Sequence, residues 1–109
     1  MDQKLQIGDV QIGDAEVDGP ALAEVCRRYG VKELSLFGSG ARGELRPDSD
    51  VDIMVEFDPG AHIGLIGFES LAEELESLAG RRVDLVTRRG LKPWVRPAVL
   101  RDARVIYAA

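Results

Sequence analysis

The chain is organised around the sequence LFGSGARG at residues 36–43, which is followed by the sequence DVD at residues 50–52. A Gly-Ser pair that leaves an apolar strand lets the backbone approach a ligand closely, and the serine hydroxyl can donate to phosphate oxygens. Two aspartates at i and i+2 emerge from one face of a strand, where both carboxylates can reach one hard cation. Together these features predict a site for a nucleoside triphosphate and a divalent metal.

A third carboxylate strengthens this interpretation. Asp84 lies in the apolar run VDLV at residues 83–86, where an unpaired buried charge would be costly. A metal shared with Asp50 and Asp52 would supply a partner, whereas an ion pair with Arg82 is the competing structural explanation. Three carboxylates around one or two Mg²⁺ ions suit in-line attack at phosphorus, because the metals neutralise the triphosphate and stabilise the leaving pyrophosphate. For Asp50 and Asp52 alone, a solvated strand face remains the alternative.

Helix and strand patterns alternate along the chain, which indicates an α/β (α+β) fold in which helices pack against a sheet. We expect a weak strand or hairpin within residues 1–17, and a helix that starts after Asp18 and ends at Gly30. Strands are predicted at 33–37, 50–57 and 82–87, helices at 40–45, 63–79 and 94–102, and a short strand or helix tail at 105–107. Leu65 is expected on the buried face of the 63–79 helix, and Trp94 is expected to pack the last helix onto the core.

Length and composition predict one domain, residues 1–109, of an ordinary globular protein with 45% hydrophobic and 30% charged residues. No apolar run approaches the roughly 18 residues of a membrane span. The N-terminus lacks the apolar segment of a signal peptide. The single cysteine, Cys26, excludes an internal disulfide and reads as a small core residue. A cytoplasmic location without membrane contact is therefore expected.

Charge is distributed unevenly along the chain. The formal net charge is −5, yet residues 81–109 hold eight of the fourteen basic residues and two of the nineteen acidic ones. An acidic protein is a poor non-specific binder of nucleic acid, so direct nucleic-acid binding is not expected. The basic segment could meet phosphates or an acidic partner, and a solvated helix face is an equal alternative.

The combined motif resembles that of a known family. Residues 37–55 follow the pattern FGSxARGx₅SDxDIxV, and VDLV lies downstream at residues 83–86. This pattern resembles the signature of nucleotidyltransferases in the DNA polymerase β superfamily, and it is most similar to the minimal nucleotidyltransferases. The resemblance extends over most of residues 20–107. It implies a mixed sheet flanked by helices, with ATP and Mg²⁺ as ligands.

The resemblance also implies roles for individual residues. Asp50 and Asp52 would bind the metals, and Asp84 would bind the catalytic metal and help to deprotonate the acceptor. Gly38 and Ser39 would bind the β- and γ-phosphates. Ser49 and Arg42 are further nucleotide-binding candidates, although an ion pair of Arg42 with Glu44 or Asp48 is an equal alternative. The sequence departs from the family at Gly40, where a larger side chain is usual and a glycine could loosen the turn.

The small size of the chain shapes the functional expectation. Larger relatives carry a further domain that binds the acceptor, so here the acceptor is expected to be a separate molecule or to be bound with the help of another subunit. Minimal nucleotidyltransferases are commonly antitoxins that adenylylate a tyrosine of a HEPN-type ribonuclease toxin, and the resemblance makes this chain a candidate for that role. The alternatives are a non-catalytic module that neutralises its partner by occlusion, and a small-molecule nucleotidyltransferase acting as a homodimer.

Overall fold

The computed structural model describes residues 8–13, 15–44 and 46–109. A short hairpin comes first, in which β1 (Val10–Ile12) pairs antiparallel with β2 (Ala15–Val17). Ile12 and Val17 are buried and join the main core. The hairpin thus lies within the segment for which the sequence predicts a strand or hairpin. Residues 1–7, and with them the start of that prediction, lie outside the described residues.

The first helix forms where its end signals predict it. Helix α1 (Gly19–Arg28) begins after Asp18, whose side chain accepts a hydrogen bond from the Ala21 amide at 3.1 Å. Pro20 stands in the first turn, where its missing amide proton costs nothing. Gly30 follows the helix with φ of +70°, a conformation that favours glycine. The chain then turns directly into the sheet.

The sheet has four strands and mixed directions. Its order is β5-β4-β3-β6, and the strands are β3 (Val31–Phe37), β4 (Val51–Phe57), β5 (Val83–Thr87) and β6 (Arg104–Ala108). β4 and β5 are parallel, whereas β3 is antiparallel to both β4 and β6. The predicted mixed α/β fold is confirmed, and the last predicted element is a strand.

Two further helices complete the fold: α2 (Leu65–Ala79) and α3 (Arg96–Asp102). Leu71 and Leu75 of α2 are buried in the same core as Leu22 and Cys26 of α1. Gly80, with φ of +72°, ends α2 as predicted. Burial raises the pKa of the Cys26 thiol to about 12, so this residue is an inert part of the core.

Alternation along β4 separates a core face from a polar face. Ile53 and Val55 have no exposed surface and belong to the core beneath the helices. Asp52, Met54 and Glu56 project from the opposite face, as the period of two predicts. Helices α1 and α2 thus cover one face of the sheet, and the carboxylates of the candidate site lie on the other.

Three expectations were wrong. Instead of a helix at 40–45, the chain forms a 3₁₀ turn (Gly38–Gly40) followed by further turns, and Leu45 lies outside the described residues. Leu65 is 74% exposed because α2 starts at this residue and its buried stripe begins further along the helix. Trp94 is 75% exposed, and the Lys92 ammonium lies 5.6 Å from its ring centroid in a cation–π contact instead of the expected core packing.

Within the part of the chain that the structure describes, the helices are too short or too polar to span a bilayer.

Candidate functional site

Three neighbouring strands bring the candidate residues into one row. Phe37, at the end of β3, lies opposite Asp52 of β4 in the antiparallel register. Asp52 is paired in turn with Asp84 of the parallel strand β5. Paired residues on adjacent strands project to the same face, so the two aspartates are neighbours on the face opposite α1 and α2. The structure therefore brings together two of the three predicted carboxylates through the sheet register itself.

Gly38 makes room for one of these carboxylates. Its φ is +68°, in the left-handed region that favours glycine. A β-carbon built on Gly38 would lie 2.7 Å from Asp52 Oδ2, which is closer than real β-carbon contacts. The Asp52 carboxylate thus occupies space that the side chain of any other residue at position 38 would fill. The glycine turn and the aspartate pair, which are far apart in the motif, form one structural unit.

The turn after Gly38 is held by its own backbone. The Gly38 carbonyl accepts hydrogen bonds from the amides of Ala41 at 3.1 Å and Arg42 at 3.3 Å. The Ser39 carbonyl accepts from the Glu44 amide at 2.8 Å, and the Ser39 residue is half-buried. Gly40 is buried, and a β-carbon there would meet only Val51 Cγ1, at 4.0 Å. The glycine at position 40 is therefore compatible with a closed, hydrogen-bonded turn.

The aspartates repel one another. Burial raises the pKa of the Asp52 carboxyl, and the nearby carboxylates of Asp84 and Asp50 raise it further. The negative charge of Asp50 is partly compensated, because its Oδ1 lies 3.3 Å from Arg82 Nε in an exposed ion pair. The site is thus an acidic cluster in which the charged form of Asp52 is disfavoured by burial and by its neighbours.

The chemistry of these residues suits a hard divalent cation. In the described residues, no three His, Cys, Asp or Glu side chains are gathered closely enough to enclose a metal ion. The carboxylates nevertheless offer the oxygen ligands that Mg²⁺ prefers, and a cation would relieve the repulsion that raises the Asp52 pKa. The Arg82 ion pair competes with such a cation for Asp50. The oxygen donors of Asp50, Asp52 and Asp84 are therefore of the chemical type that suits magnesium, although these side chains are not already gathered around one point.

The remaining candidates, Arg42 and Ser49, have structural partners of their own. The Arg42 guanidinium pairs with Glu44 at 3.1 Å and with Asp102 of α3 at 3.5 Å. The pair with Glu44 is one of the two ion pairs that the sequence offered as an alternative. The pair with Asp102 was not predicted. The Ser49 amide donates to the Arg46 carbonyl at 3.0 Å, and its own carbonyl accepts from Arg81 Nη1 at 3.1 Å. Nucleotide contacts by Arg42 and Ser49 stay predictions.

Two features of the site differ from the sequence interpretation or were absent from it. Asp84 is exposed, so the argument that it is a costly buried charge was wrong, and Arg82 pairs with Asp50 instead. Arg81 was missed altogether. It donates to the carbonyls of Arg46 and Ser49, at 2.9 and 3.1 Å, and so fixes the loop that leads into the aspartate pair. Its position two residues before β5 gives no sequence signal for this role.

Comparison with known proteins assigns the family. A family model described as a nucleotidyltransferase domain matches residues 21–107, a range that includes the Gly-Ser turn and the three aspartates. The chain belongs to this family. The expected nucleotidyltransferase fold and enzyme class are thus confirmed, and Asp52 and Asp84 lie side by side within the matched range.

Individual relatives support a minimal nucleotidyltransferase. The protein adenylyltransferase MntA of Thermococcus cleftensis is 46% identical over 84 residues, which are 77% of this chain and 81% of that protein. A solved structure assigned to a minimal nucleotidyltransferase has a TM-score of 0.67 at 45% identity and covers 78% of this chain and 85% of its own. A complex of the tri-AMPylated HEPN toxin of Shewanella oneidensis with its MNT antitoxin contains a similar fold, with a TM-score of 0.58 at 22% identity over 83% of this chain and 69% of that chain.

Proposed function

We propose that this nucleotidyltransferase transfers AMP from ATP to a protein, with Mg²⁺ as cofactor, and that the acceptor is a tyrosine of a HEPN-type toxin for which the chain is the antitoxin. The observation that carries the proposal is the packing of Asp52 against Gly38 and beside Asp84. This packing brings a turn suited to binding phosphate next to two carboxylates suited to binding a metal. The protein acceptor rests on the MntA relative, which is named a protein adenylyltransferase.

Each residue of the site has a role in this reaction. Gly38 and Ser39 would hold the β- and γ-phosphates beside the carboxylates. Asp50, Asp52 and Asp84 would hold Mg²⁺, which when bound supplies charge neutralisation at the triphosphate. The tyrosine oxygen would form a bond to the α-phosphorus while the bond from that phosphorus to the bridging oxygen breaks and pyrophosphate leaves. Asp84 would take the hydroxyl proton, a role that its exposure to an incoming protein allows.

The toxin partner is supported by fold likeness and by a relative's identity. The Shewanella complex pairs a protein of this fold with an AMPylated HEPN toxin. The MntA relative, at 46% identity, links the same minimal class to protein adenylylation. A HEPN protein encoded beside this chain is therefore the first acceptor to test.

The test is incubation of the chain with ATP, Mg²⁺ and the HEPN protein of the neighbouring gene, followed by intact-mass measurement of both proteins. One or more AMP-sized additions on the HEPN protein are expected, mapped to tyrosine by peptide sequencing. The control is the double variant Asp50→Asn and Asp52→Asn, which should leave the HEPN mass unchanged. Absence of any addition with a folded wild-type pair would overturn the enzymatic proposal.

The same variant separates catalysis from occlusion. If the double variant still neutralises the toxin at equal stoichiometry, binding is sufficient and transfer is not required. We expect it to bind the toxin yet fail to neutralise it, because the substitutions remove charge from the site without changing its shape.

A further inference from the structure

A cavity with several charged lining residues lies at the other end of the strands that carry the aspartates. It has a volume of about 590 Å³ and is lined at the ends of β4 and β5 by Glu56, Asp58, Arg88 and Arg89, and by Arg96 of α3. We call it the distal pocket. Glu56 lies on the same face of β4 as Asp52 and four residues further along, which at about 3.3 Å per residue puts it about 13 Å from Asp52. The distal pocket is thus separate from the Gly-Ser turn and lies at the opposite end of β4, where residues of both sheet faces, such as Glu56 and Phe57, line it.

The charges around the distal pocket do not balance. Arg88 pairs with Glu56, at 3.6 Å between Nη1 and Oε1. Asp58 is the second acidic residue of the lining, and Arg89 and Arg96 are the remaining basic ones. Three guanidinium groups against two carboxylates leave one positive charge in excess. This charge comes from the arginines of the basic C-terminal segment, to which the proposed reaction assigns no role.

Arg96 has an unmet hydrogen bond at this pocket. Its Nη2 donates to the Leu91 carbonyl at 3.0 Å, which fixes the guanidinium in place. Its Nε is buried and has no hydrogen-bond partner, and no other buried side-chain nitrogen or oxygen of the described residues is left in this state. A buried donor without an acceptor is unfavourable. Nε itself has almost no accessible surface, so an acceptor in the pocket would meet the rest of the Arg96 guanidinium.

We propose that the distal pocket binds an acidic side chain of the acceptor protein. A carboxylate carries the single negative charge that matches the single excess positive charge, and the Arg96 guanidinium offers a charge-assisted hydrogen bond to it. A phosphate dianion fits less well, because Glu56 and Asp58 would repel its second charge. The inference rests on the proposed function, because it assigns the pocket to the protein that receives AMP.

The position of the pocket would let this interaction orient the acceptor protein. A carboxylate held about 13 Å from Asp52 fixes a second point of the acceptor while its hydroxyl lies at the aspartates. In an extended segment this distance corresponds to about four residues, so an Asp or Glu at that separation from the modified tyrosine is expected. Arg96 and Arg89 are docking residues that select the acceptor and take no part in bond formation.

Binding can be tested without turnover. In protein labelled with ¹⁵N-arginine, the guanidinium signals of Arg96 should shift on titration with N-acetylglutamate α-methylamide, whose only charge is the side-chain carboxylate, and stay in place with the uncharged N-acetylglutamine methylamide. Inorganic phosphate is the third probe. Equal shifts with the acid and the amide, no shift with the acid, or tighter binding of phosphate than of the acid would each overturn the assignment to a carboxylate.

Turnover gives the second test. Arg96→Gln should raise the KM for the HEPN acceptor by about tenfold, with kcat and ATP affinity near wild type. Arg101→Gln, an exposed arginine on the same helix, is the matched control and should leave KM unchanged. Because Arg96 also contacts Leu91, Arg89→Gln provides a variant on the exposed loop and should raise KM in the same direction.

The two proposals fail in different ways. An unchanged KM in both Arg89→Gln and Arg96→Gln, with normal transfer by the wild type, would overturn the docking pocket alone. No transfer by the wild type would overturn the proposed function, while the arginine signals would still report whether a carboxylate binds.

Discussion

Asp52 Oδ2 lies where a side chain on Gly38 would be: a β-carbon built at that position would be 2.7 Å from the oxygen. The Gly-Ser turn and the aspartate pair are therefore coupled sterically. Substitutions at Gly38 or at Asp52 should both impair the site. Asp52 also stands beside Asp84 in the parallel register. The packing of Asp52 against Gly38 thus sets the place of a carboxylate on which the proposed chemistry depends.

Gly38→Ala should cost both stability and activity. The positive φ strains alanine by about 1–2 kcal/mol, and the new methyl group pushes against the Asp52 carboxylate. A displacement of this kind should reduce transfer about 100-fold. The measurements are thermal unfolding and the rate of AMP transfer.

Gly43→Ala is the matched control for the turn. Gly43 has φ of +74°, but a β-carbon there would meet nothing within 4 Å. The control should lose similar stability and keep most of its activity. An equal loss of activity in both variants would show that backbone strain, and not the contact with Asp52, is responsible.

Asp52→Asn should stabilise the free protein while it abolishes transfer. The pKa of this carboxyl is raised in the folded state, so the ionised form is less favourable there than in the unfolded chain, and stability falls as the pH rises through that window. The variant should show a higher Tm than wild type at neutral pH, with the difference vanishing below the ordinary value of 3.8. Activity should fall by about 10²–10³-fold or more.

Melting curves between pH 3 and 8, together with transfer rates, test this second prediction. Asp48→Asn, at an exposed position in the preceding turn, is the control. An Asp52→Asn variant that is less stable than wild type at neutral pH would contradict the proposed repulsion.

Glu74→Gln should weaken the contact between α1 and α2. Glu74 accepts two hydrogen bonds from Arg28, at 2.9 and 3.0 Å, and one from the Tyr29 hydroxyl at 2.7 Å. These bonds lower the pKa of Glu74, so their contribution is present above its ordinary value of 4.5 and is lost as the pH falls through the lowered pKa. The variant should have a lower Tm than wild type at neutral pH.

The control for this third prediction is Glu73→Gln, one position earlier on the same helix and exposed. The Tm difference between wild type and Glu74→Gln should shrink in acid. A difference that is constant across the acid range would show that the effect does not come from the ionised carboxylate.

Much of the fold could be predicted because local signals agreed with the tertiary structure. The Asp18 cap and Gly30 set the limits of α1, and the period of two along β4 placed Asp52 on the face opposite the core. The place of Asp84 beside it followed from the motif. These features depend on neighbours in sequence or on strand alternation, both of which can be read from one chain.

The errors arose where exposure depends on distant elements. Asp84 lies among apolar residues, but β5 is an edge strand, and the apolar run does not reveal that its polar face is open. Trp94 lies beside Lys92 in a local cation–π contact, which competes with core packing. The distal pocket is formed by residues of β4, β5 and α3 together, so no single segment of the sequence predicts it.

The claim that three carboxylates hold a metal-bound nucleotide is tested most directly by calorimetry of ATP binding in Mg²⁺ and in EDTA. Without a cation, the aspartates and the triphosphate repel each other, so binding should be measurable in Mg²⁺ and lost in EDTA. The double variant Asp50→Asn and Asp52→Asn should lose the dependence on Mg²⁺. Undiminished ATP affinity of the wild type in EDTA would contradict the proposed site.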